Sequence, residues 1–124
     1  MRVYHGTTAE CAERFARDGI DAHLFYPRLI HGLQDLEPGL FVTPRLPVAR
    51  RFGLYVLEID VEAHQLKTPP TLRTAGASLQ DALQNSAEPQ ALLVARVEPD
   101  HVRVVESYPN GHPFNPFDEA AWEP

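Results

Sequence analysis

Four short fragments hold side chains that could do chemistry on one small ligand. Tyr4-His5-Gly6-Thr7 places an imidazole beside a glycine. Gly39-Leu40-Phe41-Val42-Thr43 and Val48-Ala49-Arg50-Arg51-Phe52 each carry a phenyl ring, and the rings lie 11 residues apart. Glu88-Pro89-Gln90 carries a carboxylate and a carboxamide two residues apart. In a strand, residues i and i+2 share a face, so Glu88 and Gln90 can look into one cleft. A carboxylate stabilises a developing positive charge, whereas a carboxamide accepts a hydrogen bond and brings no charge. A glycine lets a ligand reach the backbone. Each residue also has a plainer reading. His5 can be a strand-end histidine satisfied by backbone, Gly6 a turn residue, and Phe41 and Phe52 ordinary core. Glu88 can sit at the exposed start of a strand.

In this order and spacing the fragments resemble the ADP-ribosyltransferase superfamily, in its diphtheria-toxin and poly-ADP-ribose-polymerase branch. That branch is summarised as His-Tyr-Glu; here the pattern reads His-Phe-Gln/Glu. The resemblance spans about residues 3–106. It implies NAD as a substrate, held bent, with its nicotinamide ring between aromatics. It also implies cleavage through an oxocarbenium-like sugar. By the resemblance, His5 hydrogen-bonds the adenosine ribose, Gly6 pairs with the nicotinamide amide, and Phe41 and Phe52 stack on the ring. Thr7 completes the opening motif. The family sets its catalytic glutamate at or just before the start of a strand. Counting back from Val97-Glu98-Pro99-Asp100-His101-Val102 puts Gln90 at that place, with Glu88 two residues earlier. Where the family often has Glu-x-Glu or Gln-x-Glu, this chain has Glu-x-Gln. Loss of one electrostatic stabiliser costs about 10²–10³ in rate. Three outcomes stay open: Glu88 acts through a register shift, Gln90 suffices for a slow transfer, or the site binds without catalysis.

The resemblance therefore implies a mono-ADP-ribosyltransferase, a glycosyltransferase of the toxin or effector kind. Its acceptor would be a protein or other macromolecule, and an antitoxin or immunity partner is conceivable. One rival is a weak or inactive module of the same fold that binds NAD, ADP-ribose or a partner protein. Another is a small-molecule ADP-ribosyltransferase. A related RNA 2′-phosphotransferase sits badly with an acidic chain that lacks a basic stripe. Loops 24–38 and 75–89 precede Phe41 and Gln90, and in the family such loops cover NAD and choose the acceptor. They hold Tyr26, Arg28 and His31 in the first, and Ser78, Gln80, Gln84 and Asn85 in or near the second. Any one of these residues reads equally as solvated loop. Arg45, Arg50 and Arg51 could meet pyrophosphate, or face solvent.

The elements that must position these residues are partly legible. Val3-Tyr4 starts a strand. Thr7 to Glu10 reads as a capping box opening a helix over about 8–18, with Ala12, Phe15, Ala16 and Ile20 at helical spacing and Gly19 as its stop. Residues 39–43 form a short strand, and Val48 to Phe52 a short helix ended by Gly53. Tyr55 to Val61 alternates, with Tyr55, Leu57, Ile59 and Val61 on one face and Glu58 and Asp60 on the other. Residues 62–89 read as irregular apart from a helical fragment at Leu79–Leu83. Ala91–Val97 is a strand, and Val102–Val105 continues or pairs with it. Phe114, Phe117 and Trp122 predict a docked tail.

The chain has 124 residues, a size that predicts one domain over 1–124. The expected class is α+β, by resemblance a split β-sandwich of two small, mostly antiparallel sheets with short helices. The net charge of −6 argues against nucleic-acid and membrane-surface partners. A single cysteine, Cys11, excludes an internal disulfide and a Cys-based zinc site. The histidines show no metal-ligand spacing, with His23 and His31 the nearest approach to a pair. No Gly-x-Gly-x-x-Gly, Walker or Gly-x-Ser-x-Gly pattern occurs. Residues 1–20 carry no basic start followed by an apolar run, and no run is long enough for a bilayer. A cytoplasmic or delivered protein is the expectation.

Overall fold

The computed structural model describes residues 1–25, 38–85 and 89–122. They form an α+β fold with three small antiparallel sheets. The first strand, β1 (Arg2–Thr7), turns into helix α1 (Ala9–Asp18). Thr8, not Thr7, caps this helix: its hydroxyl accepts from the Cys11 N–H at 3.3 Å. Thr7 still belongs to β1, paired opposite Tyr55, so the expected Thr7–Glu10 box is not made. Gly19 ends α1 at φ 79°, a value that β-carbon sterics disfavour in other residues, and its N–H returns to the Phe15 carbonyl. Strand β2 (Ile20–Asp21) follows at once.

The short strand β3 (Leu40–Val42) leads into α2 (Leu46–Ala49), a single turn. This helix starts two residues before the expected Val48. Pro47 is tolerated in a first turn because that turn needs no internal donor. Strand β4 (Tyr55–Asp60) is the centre of the sheet β1-β4-β8, where β8 spans Val102–Ser107. The expected alternation holds in β4: Leu57, Ile59 and, just beyond the strand, Val61 join the main core and Tyr55 packs against it, while Glu58 and Asp60 take the other face. Val56, Leu57, Glu58 and Ile59 are all buried, because the strand is covered on both faces. Leu57 and Ile59 join Val3, Ala12 and Phe15 in the main core. On the other face Glu58 is sealed by Arg103 of β8, at 2.6 and 3.0 Å.

The stretch 62–89 is more regular than its prolines suggested. It holds β5 (Leu66–Lys67), α3 (Pro70–Thr74) and α4 (Leu79–Gln84). Ser78 caps α4 and is capped in return by Asp81, a local signal for a helix start. The expected strand 91–97 divides in two. Strand β6 (Ala91–Leu93) joins the sheet β3-β6-β5, and β7 (Arg96–Val97) pairs with β2. Three sheets therefore stand where two were expected. In the C-terminal segment Trp122 docks, its ring centroid 5.5–5.8 Å from those of Tyr108, His112 and Phe114. Phe114 and Phe117 stay largely exposed, at 52% and 68%. Among the described residues no helix is long and apolar enough to cross a membrane.

Candidate functional site

The sheets led by β1 and β3 share a core and are joined, among the described residues, by one backbone bridge. Tyr4 and Thr43 exchange two backbone hydrogen bonds, Tyr4 N–H to Thr43 O at 2.7 Å and Thr43 N–H to Tyr4 O at 2.9 Å. Beyond that bridge no further pairing joins the strands, and they part. A cavity of about 380 Å³ lies where they separate. His5, Gly6, Thr7, Phe41, Phe52 and Gln90 all line it. Tyr4, Thr8, Phe25, Thr43 and Ala49 complete much of the wall.

Strand geometry explains what β1 offers. Backbone donors and acceptors alternate sides along a strand. The Tyr4 groups point to β3, so those of Gly6, two residues on, point the same way. There β3 has moved off, and the Gly6 N–H and C=O edge the cleft without a backbone partner among the described residues. Gly6 is not a turn residue. Its missing side chain is demanded by packing: an added β-carbon would sit 2.0 Å from the Ala49 carbonyl oxygen. Gly53 answers from the other side, where a β-carbon would lie 2.3 Å from the Thr7 carbonyl oxygen. These two glycines let α2 lie on β1, bringing Ala49 and Phe52 to the cavity.

His5 crosses the gap between the strands. Its Nδ1 lies 2.7 Å from the Phe41 carbonyl oxygen. That oxygen can only accept, so Nδ1 carries the proton and neutral Nε2 is left as an acceptor. Burial pushes the His5 pKa below its ordinary value, and the Phe41 bond opposes part of that shift. The edge of the His5 ring also meets Phe15, at a centroid distance of 6.2 Å. Phe15 in turn meets Phe25 at 5.3 Å, which seats Phe25 against the cavity. Gly39 N–H bonds the Phe25 carbonyl at 2.7 Å, closing that side.

Gln90 stands just before β6, its N–H bonded to the Ala82 carbonyl of α4 at 3.3 Å. It brings the cavity a carboxamide. No described lining residue is an aspartate, glutamate, lysine or arginine. Glu88, Tyr26, Arg28 and His31 lie outside the described residues. Ser78, Gln80, Gln84 and Asn85 belong to α4 and its ends and do not line the cavity. His23 lies exposed in the turn after β2, and no metal-ligating cluster occurs among the described residues.

Arg45 faces solvent as one reading expected, whereas Arg50 and Arg51 are half-buried. None lines the cavity, and all three are engaged by carboxylates. Arg50 meets Glu106 through two bonds of 2.8 and 2.7 Å. Arg45 and Arg51 both reach Glu119, at 2.6 and 3.0 Å. Glu106 stands on β8, and the C-terminal segment returns over α2 and brings Glu119 with it. Among the wall residues, Tyr4, Phe25 and Thr43 were not singled out by sequence. Tyr4 and Thr43 sat in the quoted motifs, whereas Phe25 gave no signal of its own. Compared with protein-family models, curated proteins and solved structures, the chain matches none.

Proposed function

We propose that the chain transfers one ADP-ribose unit from NAD to a macromolecular acceptor and releases nicotinamide. The observation that supports this reading is the convergence of His5, Gly6, Phe41, Phe52 and Gln90 on one cavity. The architecture that goes with it is a split β-sandwich, whose sheets β1-β4-β8 and β3-β6-β5 part at the Tyr4–Thr43 bridge and take the dinucleotide between them. Nε2 of His5 accepts from a hydroxyl of the adenosine ribose. The Gly6 N–H and C=O pair with the nicotinamide amide. Phe41 and Phe52 flank the ring, an arrangement worth about 0.5–1.5 kcal/mol per aromatic pair beyond the area buried. Gln90 accepts from a hydroxyl of the nicotinamide ribose. As the glycosidic C–N bond breaks, its electron pair leaves with nicotinamide, and the cationic sugar is taken by a nucleophile of the acceptor. The carboxylate that would stabilise this cation is assigned to Glu88, on its sequence position alone.

Purified protein incubated with labelled NAD and a cell lysate tests the reading. Label should appear on an acceptor and be lost with His5→Ala. Glu88→Gln should depress transfer far more than it lowers the melting temperature. A second reading is favoured by Gln90 and by the lack of a charged residue in the described wall: a module that binds NAD or ADP-ribose without turnover. Tight NAD binding with no nicotinamide release, in the presence of lysate, would decide for the module.

A further inference from the structure

We propose that Glu119 is a positioning residue of this cavity: from the C-terminal segment it holds both ends of α2 and so fixes where Phe52 stands. The helix cannot do this alone. It is one turn of four residues with no side-chain cap, and so short a turn does not keep its shape in water. Its inner side rests on β1 through the bare α-carbons of Gly6 and Gly53. Its outer side is held by charge. Arg45, the residue preceding the helix, and Arg51, just beyond it, share the one Glu119 carboxylate. The shared carboxylate bridges the turn from end to end, and Phe52 is the next residue in the chain.

The bridge is partly shielded from water. The Arg51 side chain is 15% exposed and that of Glu119 27%. Arg51 Nε is buried with no hydrogen-bond partner among the described residues, so Glu119 at Nη2 is the carboxylate that keeps this guanidinium in place. The segment carrying Glu119 is itself anchored. Trp122 covers the Arg50 guanidinium at 4.2 Å and donates from Nε1 to the Asn115 carbonyl at 3.2 Å. Phe52, 54% exposed, has little packing of its own to hold its ring. Remove the bridge and the aromatic wall loses its outer support, while the core around Phe15 keeps its contacts.

The inference rests on the proposed function only for its NAD readout; the placement of Phe52 is read without ligand. The experiment uses the full chain with fluorinated phenylalanine, the Phe52 resonance being assigned by its loss in Phe52→Leu. Glu119→Gln should shift and broaden the Phe52 line and leave the Phe15 line in place. The NAD dissociation constant should rise about tenfold, as expected when one stacking ring is mispositioned. Nicotinamide release at saturation should stay within about twofold, the signature of lost binding rather than lost chemistry. Glu119→Asp, which keeps the charge, should recover most of the affinity. An unmoved Phe52 line in folded Glu119→Gln overturns the proposal. If Glu119→Gln also loses the native Phe15 line, Arg45→Gln decides in the same way, since it removes half the bridge. Wild-type protein that binds no NAD refutes the proposed function and leaves the Phe52 line to judge the positioning.

Discussion

Two regions meet at α2 and are built on opposite principles. On its inner side lies a cavity whose described lining carries no carboxylate, lysine or arginine, and whose one titratable imidazole is held neutral by burial. On its outer side lie three arginines and two glutamates, with a tryptophan stacked on one guanidinium. Among the described residues, charge stands where it fixes the backbone and is absent from the cavity wall. The described wall offers apolar surface and backbone hydrogen-bonding groups. A charged clamp holds a single helical turn that has no stability of its own.

The comparison breaks most sharply at Gly6, the point both regions share. Gly6→Ala puts a methyl group into the Ala49 carbonyl, which is backbone and cannot rotate away. We expect a loss of about 3 kcal/mol, read from urea unfolding, with the cavity and the clamp both disturbed. A loss below about 0.5 kcal/mol would mean that α2 shifts freely on β1, contrary to the close packing described.

Gln90→Glu adds the charge that the described cavity wall lacks. Nicotinamide release should rise by about 10²-fold while stability changes little, because the side chain is only partly buried. An unchanged rate would remove Gln90 from the chemistry and shift the burden to Glu88.

Glu106→Gln tests the clamp alone. Breaking a fully buried ion pair costs about 3–5 kcal/mol. Here the two side chains keep 11% and 16% of their exposure, so water offsets part of the cost and about 2 kcal/mol is expected. Thermal unfolding measures it, and a change confined to the Trp122 fluorescence would show that Arg50 finds another partner.

The smallest effect is the pH dependence tied to His5. Its folded-state pKa lies below the ordinary 6.5. Between the two values the unfolded chain binds more protons than the folded one. Stability from this group is therefore complete above 6.5, falls as pH drops through that window, and stops falling below the folded-state value. Urea titrations across that range should show a shallower slope in His5→Ala than in the wild type, the other histidines cancelling in the difference. Equal slopes would place the imidazole in water.

His5, Gly6, Phe41, Phe52 and Gln90 were brought together by the resemblance their motifs carry, whereas β1, α1 and most of β4 were legible from local signals. A helix shows its period, a glycine stop its position, and a motif its residue types. What was not legible depended on distant partners. Thr7 was read as a cap because nothing local says that β4 would claim it. The two faces of Tyr55–Val61 were legible from alternation, but the burial of Glu58 was not, because it depends on Arg103, 45 positions later. Ala91–Val97 was read as one strand because its division between two sheets is set by where β3 and β2 lie.

The sequence alone therefore determined the α+β class and picked out six residues that line one cavity: His5, Gly6, Thr7, Phe41, Phe52 and Gln90. Tertiary structure decided that β1 and β3 share one backbone bridge and then part, making the space those residues share. It also decided that Arg45 and Arg51 meet Glu119 of the C-terminal segment and Arg50 meets Glu106 of β8, none of the three lining the cavity. The physical reason is range. Backbone propensity and residue spacing act over a few positions, whereas an ion pair across 74 residues exists only after the chain has folded back on itself.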